Sequence, residues 1–251
     1  DEATEFITLF RNKKKELNVK DFSIINNIKN EELSKFTDLI NLETGTIKIG
    51  ISTTLTKEFL LPFIEIFHSK YPNINIEINT DITNELIPKL RNGLIDMIIL
   101  NLAKNTYGDD IEIIKVKEIH DCFICNKSYK ELLNKKVSIK ELAKYPLILL
   151  PKGANTRTFI DNLANNYGIT LKPNIELASI ALNVEFARIG LGISYVTKEY
   201  ITKYLNNEEL YEINLIEEIP SRFIGIATSK NHVCNFSSKK LIEIITNKKE
   251  V

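Results

Sequence analysis

The sequence predicts an α/β protein of two lobes enclosing a cleft, and three observations carry that expectation. Strand-like and helix-like periods alternate over residues 46 to about 100, and the same alternation returns over residues 145 to 196. Two further strand-like segments, "IEIIKVKEIHDCFICN" and "RFIGIATSK", lie outside those units. A chain of 251 residues has room for one large domain or two ordinary ones with real cores.

The elements follow in order. "TIKIGI" is short, β-branched and apolar at alternate positions, which suits a strand feeding a core. Leu55, Phe59, Leu60, Phe63, Ile64 and Phe67 then recur at helical spacing. Pro62 is tolerated only near a helix start, so the regular helix is expected to begin close to it. "INIEIN" reads as the second strand, and "NELIPKLRNG" as a helix with Ile82, Leu86 and Leu90 aligned and Gly93 at its stop. "DMIIL" closes the first unit as a buried strand, so right-handed crossovers and a largely parallel sheet are expected. In the second unit "YPLILL" is a strand and "TRTFIDNLANNYGI" a helix ended by Gly168. "NIEL" is a strand, "ALNVEFARIGLG" a helix closed by a glycine pair, and "ISYV" a strand. If both strand-like linkers cross between lobes, the terminal helix "SSKKLIEIITN" packs back on the first. A chain that crosses twice around a cleft is built to close on a ligand.

Composition narrows the function. With 33 basic and 33 acidic residues the net charge is zero, so any contact with nucleic acid has to be local. Three cysteines, an odd number, suit a reducing interior better than a disulfide framework. No apolar run approaches the roughly 20 residues of a spanning helix, and the acidic start "DEATEFITLF" lacks the basic region of a secretory signal. A cytoplasmic protein without membrane contact is expected. The chain has no G-x-S-x-G elbow, P-loop or H-E-x-x-H, and its three histidines are scattered, so no enzyme is predicted. No cofactor is expected. Cys122 and Cys125, near His120, invite a metal or redox reading. A C-x-x-C within a strand points its two thiols to opposite faces, which favours buried structural cysteines.

The hydroxyl run Ser52, Thr53, Thr54 and Thr56 leaves a strand and enters a helix, where free backbone N–H groups and the helix dipole favour negative charge. A helix cap uses one hydroxyl, and this stretch offers four. The matching stretch of the second unit, "LLPKGANTRTF", supplies Lys152, Asn155, Thr156 and Arg157. Ligand groups are expected at the carboxyl ends of both sets of strands. The site expected is Ser52, Thr53, Thr54, Thr56, Lys152, Thr156 and Arg157, with Asn101 at the lobe junction, around a carboxylate or inorganic oxyanion. Arg157 can instead pair with Asp161, four residues on along the same helix face.

The blocks "LETGTIKIGIS", "LLPFIEIFHSKYPNINIEI", "LRNGLIDMIIL", "YPLILLPKGANTR" and "VEFARIGLGISYV" resemble, in order and spacing, the effector-binding domain of LysR-type transcriptional regulators. The resemblance covers about residues 43–245. It implies a fold like the type 2 periplasmic binding proteins, with a small-molecule effector between the lobes and the two hydroxyl-bearing stretches facing each other across it. It also implies a winged helix-turn-helix in front, promoter DNA as partner, and a homodimer or homotetramer. "LFRNKKKEL" looks like the wing, with Arg11, Lys13, Lys14 and Lys15 placed to contact phosphate. Arg11 follows Phe10 directly, one residue short of the family pattern, and residues 1–8 do not contain the serine-glutamine-proline-led recognition helix. The next segment looks like the linker helix, with Phe22, Ile25, Ile28, Leu33, Phe36 and Ile40 as an imperfect apolar stripe. The expected organisation is a remnant of the winged DNA-binding domain at 1–20, the linker helix at 21–44, lobe I at 45–124 and 225–251, and lobe II at 125–224. The linker stripe and the helix around Leu86 and Leu90 are expected to join subunits. The alternative is a solute-binding protein of a transport system, which shares the fold but carries an export signal in place of the wing.

Overall fold

The computed structural model describes residues 45–103, 107–232 and 234–247. Arg11, Lys13, Lys14 and Lys15, the linker stripe and the two N-terminal segments lie outside the described residues. Two five-stranded sheets carry the fold, in the orders β2 (Ile74–Asn79), β1 (Gly45–Ile51), β3 (Met97–Asn101), β10 (Arg222–Ser229), β4 (Ile111–Ile119) and β7 (Ile175–Glu176), β6 (Leu147–Leu149), β8 (Ile193–Thr197), β5 (Asp121–Cys125), β9 (Tyr211–Ile213).

The first sheet begins with β1 (Gly45–Ile51), parallel both to β2 (Ile74–Asn79) and to β3 (Met97–Asn101). Ile47, Ile49 and Ile51 point to one face and are fully buried, which is the alternation read from the sequence. Gly50 points to the other face, where a Cβ would lie 2.7 Å from Ile95 Cδ1 and 3.0 Å from Leu86 Cδ2, so a larger residue requires those side chains to shift.

Helix α1 starts at once, as three abutting stretches: Thr53–Leu55, a π-helical turn Thr56–Leu60, and a regular helix Leu61–Lys70. Pro62 explains the interruption. It has no N–H for the carbonyl four residues back, and the Leu61 N–H reaches Thr56 O instead. The regular helix therefore resumes beside Pro62, as expected, while helical structure reaches back to Thr53.

Helix α2 (Thr83–Arg91) follows β2, and β4 (Ile111–Ile119) forms the sheet's far edge. Leu86 and Leu90 are 2% and 1% exposed, packed against Ile95, Ile98, Leu100 and Ala227 of their own lobe. Periodicity located this apolar face correctly, but the lobe itself covers it, so the expectation that it joins subunits is corrected.

The chain then crosses. After β4 it enters the second sheet with β5 (Asp121–Cys125), antiparallel to β8 (Ile193–Thr197) and β9 (Tyr211–Ile213). Between them come α3 (Ile139–Leu142), β6 (Leu147–Leu149), α4 (Asn155–Asn166), β7 (Ile175–Glu176) and α5 (Ile180–Arg188). A short α6 (Thr202–Asn206) precedes β9. The return strand β10 (Arg222–Ser229) rejoins the first sheet, antiparallel to β3 and β4. Both linkers thus cross between lobes, at His120 and ahead of Arg222, where the sequence reading divides the lobes at 124 and 224. Helix α7 (Phe236–Asn247) buries Leu241 and Ile245 in the core of β1 and α1, as expected for a helix that packs back on lobe I.

Candidate LysR effector cleft

The cleft between the lobes encloses a volume of about 70 Å³. Its walls come from the carboxyl ends of strands, at Ser52 after β1, Asn101 in β3 and Leu150 after β6, and from the start of each helix that follows. Thr54 lies in the first turn of α1, Ile82 and Thr83 open α2, Ala154, Asn155 and Thr156 open α4, and Ile180 opens α5. Four helix N-termini therefore edge one space. Ser52 caps α1 by accepting from Leu55 N at 3.3 Å, and Ser179 caps α5 by accepting from Leu182 N at 3.4 Å. The starts of α2 and α4 have no side-chain cap, which leaves backbone donors and the positive ends of two helix dipoles at the cleft.

Among the eight residues expected at the site, Ser52, Thr54, Asn101 and Thr156 line this cleft. Thr54 is buried, and its hydroxyl has no hydrogen-bond partner among the described residues. Thr53 is exposed and turned away. Thr56 donates its hydroxyl to Ser52 O at 2.9 Å, which is a local helix bond. Lys152 is exposed, outside the lining. Arg157 is 2% exposed and follows the alternative read from its spacing: its Nε donates to Asp161 Oδ2 at 2.8 Å and its Nη1 to Leu150 O at 2.9 Å. One acidic group, Asp81, lines the cleft, and it accepts from Lys89 Nζ at 3.3 Å and from Ile82 N at 2.9 Å.

Behind the cleft lies a buried polar joint. Asp121, which opens the outgoing strand, accepts from Arg222 Nε (2.5 Å), Thr197 Oγ1 (2.9 Å) and Tyr195 OH (3.1 Å). Arg222 opens the returning strand. Burial works against its charge, yet Asp121 beside it holds the guanidinium above its ordinary value. Asn101 ties the joint to the cleft: its Nδ2 donates to Thr197 Oγ1 at 3.4 Å, its Oδ1 accepts from Tyr200 OH at 3.2 Å, and its carbonyl accepts from Asn155 Nδ2 at 2.8 Å. Burial pushes the Tyr200 phenol well above its ordinary range, so it serves as a hydrogen-bond donor at neutral pH. Asp121 and Arg222 were not among the expected site residues. Their signal was available: each places a charge at the mouth of an apolar strand, and a charge that enters a core needs a partner.

Cys122 and Cys125 face opposite sides of β5. Cys122 packs with Ile148, Val184 and Val196, and Cys125 packs with Leu132, Leu147 and Ile213. Burial raises the Cys122 thiol well above its ordinary value and pushes Cys125 up to about 12, so neither is a ready thiolate. Cys122→Ser and Cys125→Ala are expected to lower stability by about 1 kcal/mol or more while leaving ligand response intact. Urea unfolding beside ligand titration checks this, and a mild oxidant that alters ligand binding in the wild type alone would speak for a redox sensor.

A profile of the LysR substrate binding domain matches residues 41–249. The chain belongs to this family. A "Probable RuBisCO transcriptional regulator" of Cyanidium caldarium is 28% identical over 197 residues, covering 76% of this chain and 62% of the relative. The chain thus spans less than two thirds of that LysR relative. Among solved structures, the Synechocystis PCC6803 CcmR regulatory domain in complex with 2-PG superposes with a TM-score of 0.71 at 18% identity, covering 82% of this chain and 99% of that one. The effector-binding domain of QuiR in complex with shikimate gives 0.68 at 20%, covering 81% and 96%. These likenesses show the LysR effector-domain fold, and the regulators named here give no support to the transport alternative. Among the described residues no helix is long and apolar enough to cross a membrane.

Proposed function

We propose that this chain is the sensory part of a LysR-type, DNA-binding transcriptional regulator, a binding module of the cytoplasm rather than an enzyme, whose cleft takes a small carboxylate or oxyanion. The observation that carries the reading is the convergence of four helix N-termini, two of them without a side-chain cap, on a cleft where Thr54 and Thr156 present hydroxyls from opposite lobes. Shikimate and 2-PG, the ligands of the two structural neighbours, are both anions and fit this chemistry. Thr54, Thr156, Ser52 and the backbone donors of α2 and α4 would hold the anion. Thr53, Lys152 and Arg157 would not touch it. Arg11, Lys13, Lys14 and Lys15 would contact DNA phosphates.

The test is a thermal-shift screen of the chain against sulfate, shikimate, 2-PG and neutral sugars. A ligand that binds only the folded state at a hundred times its Kd adds about 2.7 kcal/mol of apparent stability. Anions are expected to stabilise and neutral sugars are not. The stabilising anion is further expected to change the affinity of the protein for promoter DNA, because coupling between sites is reciprocal. Stabilisation by neutral sugars alone would overturn the reading.

Assembly follows from exposed apolar groups. Leu61 on α1 is 52% exposed and Ile78 on edge strand β2 is 37% exposed, while Leu182, Ile189 and Leu191 on and after α5 are 49%, 63% and 46% exposed. Two such patches on different lobes suit a homo-oligomer that pairs one lobe of each copy with the other lobe of its neighbour. Sedimentation is expected to show at least a dimer at micromolar concentration. Leu61→Glu combined with Ile189→Glu is expected to give a monomer.

A further inference from the structure

We propose that Arg222 is a positioning residue that decides which ligand groups the cleft accepts, by fixing the hydrogen-bond polarity of Thr156. The inference rests on the anionic reading above and deepens it. Its starting point is elementary: a guanidinium can only donate, and an ionised carboxylate can only accept. Arg222 and Asp121 are 2% and 0% exposed, so these two groups face protein and not water.

Each hydroxyl touching the pair therefore has its direction imposed. Thr197 Oγ1 and Tyr195 OH give their protons to Asp121. With its proton committed, Thr197 Oγ1 accepts from Asn101 Nδ2, and that turns Asn101 Oδ1 to the Tyr200 hydroxyl. The same logic runs the other way along Arg222. Its Nη2 donates to Thr156 Oγ1 at 3.3 Å and its Nη1 to Leu102 O at 3.4 Å, while the ring of Phe159 lies 4.8 Å from the guanidinium carbon and holds the plane.

Thr156 Oγ1 thus serves as an acceptor toward Arg222. Its own proton is left over, and no acceptor among the described residues takes it. Thr156 is 4% exposed and lines the cleft, so that proton is presented to the ligand. A hydroxyl without such a neighbour can donate or accept, and it serves an acid or an amide almost alike. Thr156, held by Arg222, spends one of its two lone pairs on the guanidinium and is biased toward donating its proton. The cleft then favours a ligand atom that accepts, as a carboxylate or sulfate oxygen does, over one that carries protons of its own.

The test measures preference instead of affinity alone. Calorimetry on the 251-residue chain compares sulfate with sulfamide, and shikimate and 2-PG with their carboxamides. Arg222→Lys keeps the charge beside Asp121 but lacks the planar fork that spans to Thr156. It is expected to reduce the preference for the anion about tenfold when Thr156 is present, and to have no further effect in the Thr156→Val background. Should Arg222→Lys unfold, Asp121→Asn with Arg222→Gln removes both charges while keeping the shape, and the same pair of backgrounds applies. An unchanged preference, or an equal change in both backgrounds, overturns the role of Arg222 while leaving the anion site standing. Failure of the wild type to bind any of the three anions removes the anionic reading and this proposal with it, whereas Thr156→Val binding as tightly as wild type removes this proposal alone.

Discussion

Arg222→Met is expected to destabilise the protein by about 3–5 kcal/mol, among the largest effects of any single substitution, because it leaves Asp121 buried and without its counter-charge. The carboxylate would keep only the Tyr195 and Thr197 hydroxyls, at 3.1 Å and 2.9 Å. Those two hydrogen bonds cannot replace a cation in a site that is 0% exposed. The cost falls at a mechanically important place. Asp121 opens the strand that enters lobe II, and Arg222 opens the strand that returns to lobe I, so one ion pair fastens both crossings. Urea unfolding measures the effect as a drop in midpoint at unchanged slope. Asp121→Asn with Arg222→Gln is expected to recover most of the loss, since neutral partners of similar shape need no counter-charge. An unchanged midpoint for Arg222→Met would mean that the joint opens to water and is not a buried pair.

Local periodicity makes most of the architecture legible in the sequence. The strand "TIKIGI" and the helix face from Leu55 to Phe67 are short-range patterns, and each became the element expected. The crossing linkers were legible too, because their strand character was visible even though their sheet membership was not. The corrections share a different cause. The apolar stripe of Leu86 and Leu90 shows that something covers that face, but periodicity does not say whether the cover is the same chain or another one. Thr53 and Thr54 are adjacent and chemically identical, and only their rotation about the axis of α1 turns one to water and the other to the cleft. Arg222 and Asp121 are 101 residues apart, a separation at which no local pattern operates. Arg157 is the instructive contrast, since its partner Asp161 is one helical turn away and was named from spacing alone.

Thr54→Val and Thr156→Val are each expected to weaken binding of the anion found by the screen by about 1–3 kcal/mol, or roughly 5- to 150-fold, because each leaves a desolvated ligand oxygen without a donor. The two variants should differ without ligand, and that difference identifies what each hydroxyl does. The Thr54 hydroxyl makes no hydrogen bond within the described residues and lies at the open cleft, so replacing it with a methyl group removes no protein contact. Thr54→Val is therefore expected to melt at or above the wild-type temperature while binding more weakly. Thr156→Val deprives Arg222 Nη2 of its acceptor and should lower stability by about 1 kcal/mol. Thr53→Val, at an exposed position outside the cleft, is expected to change neither property. Since Thr54 and Thr156 approach the same anion from different lobes, their losses should couple in the double variant and not simply add. Isothermal titration of the wild type and the four variants with the same anion reads the affinities, and thermal melts without ligand read the stabilities. Wild-type affinity in both valine variants would reduce the hydroxyls to wall atoms and return the anion to the backbone donors of α2 and α4 alone.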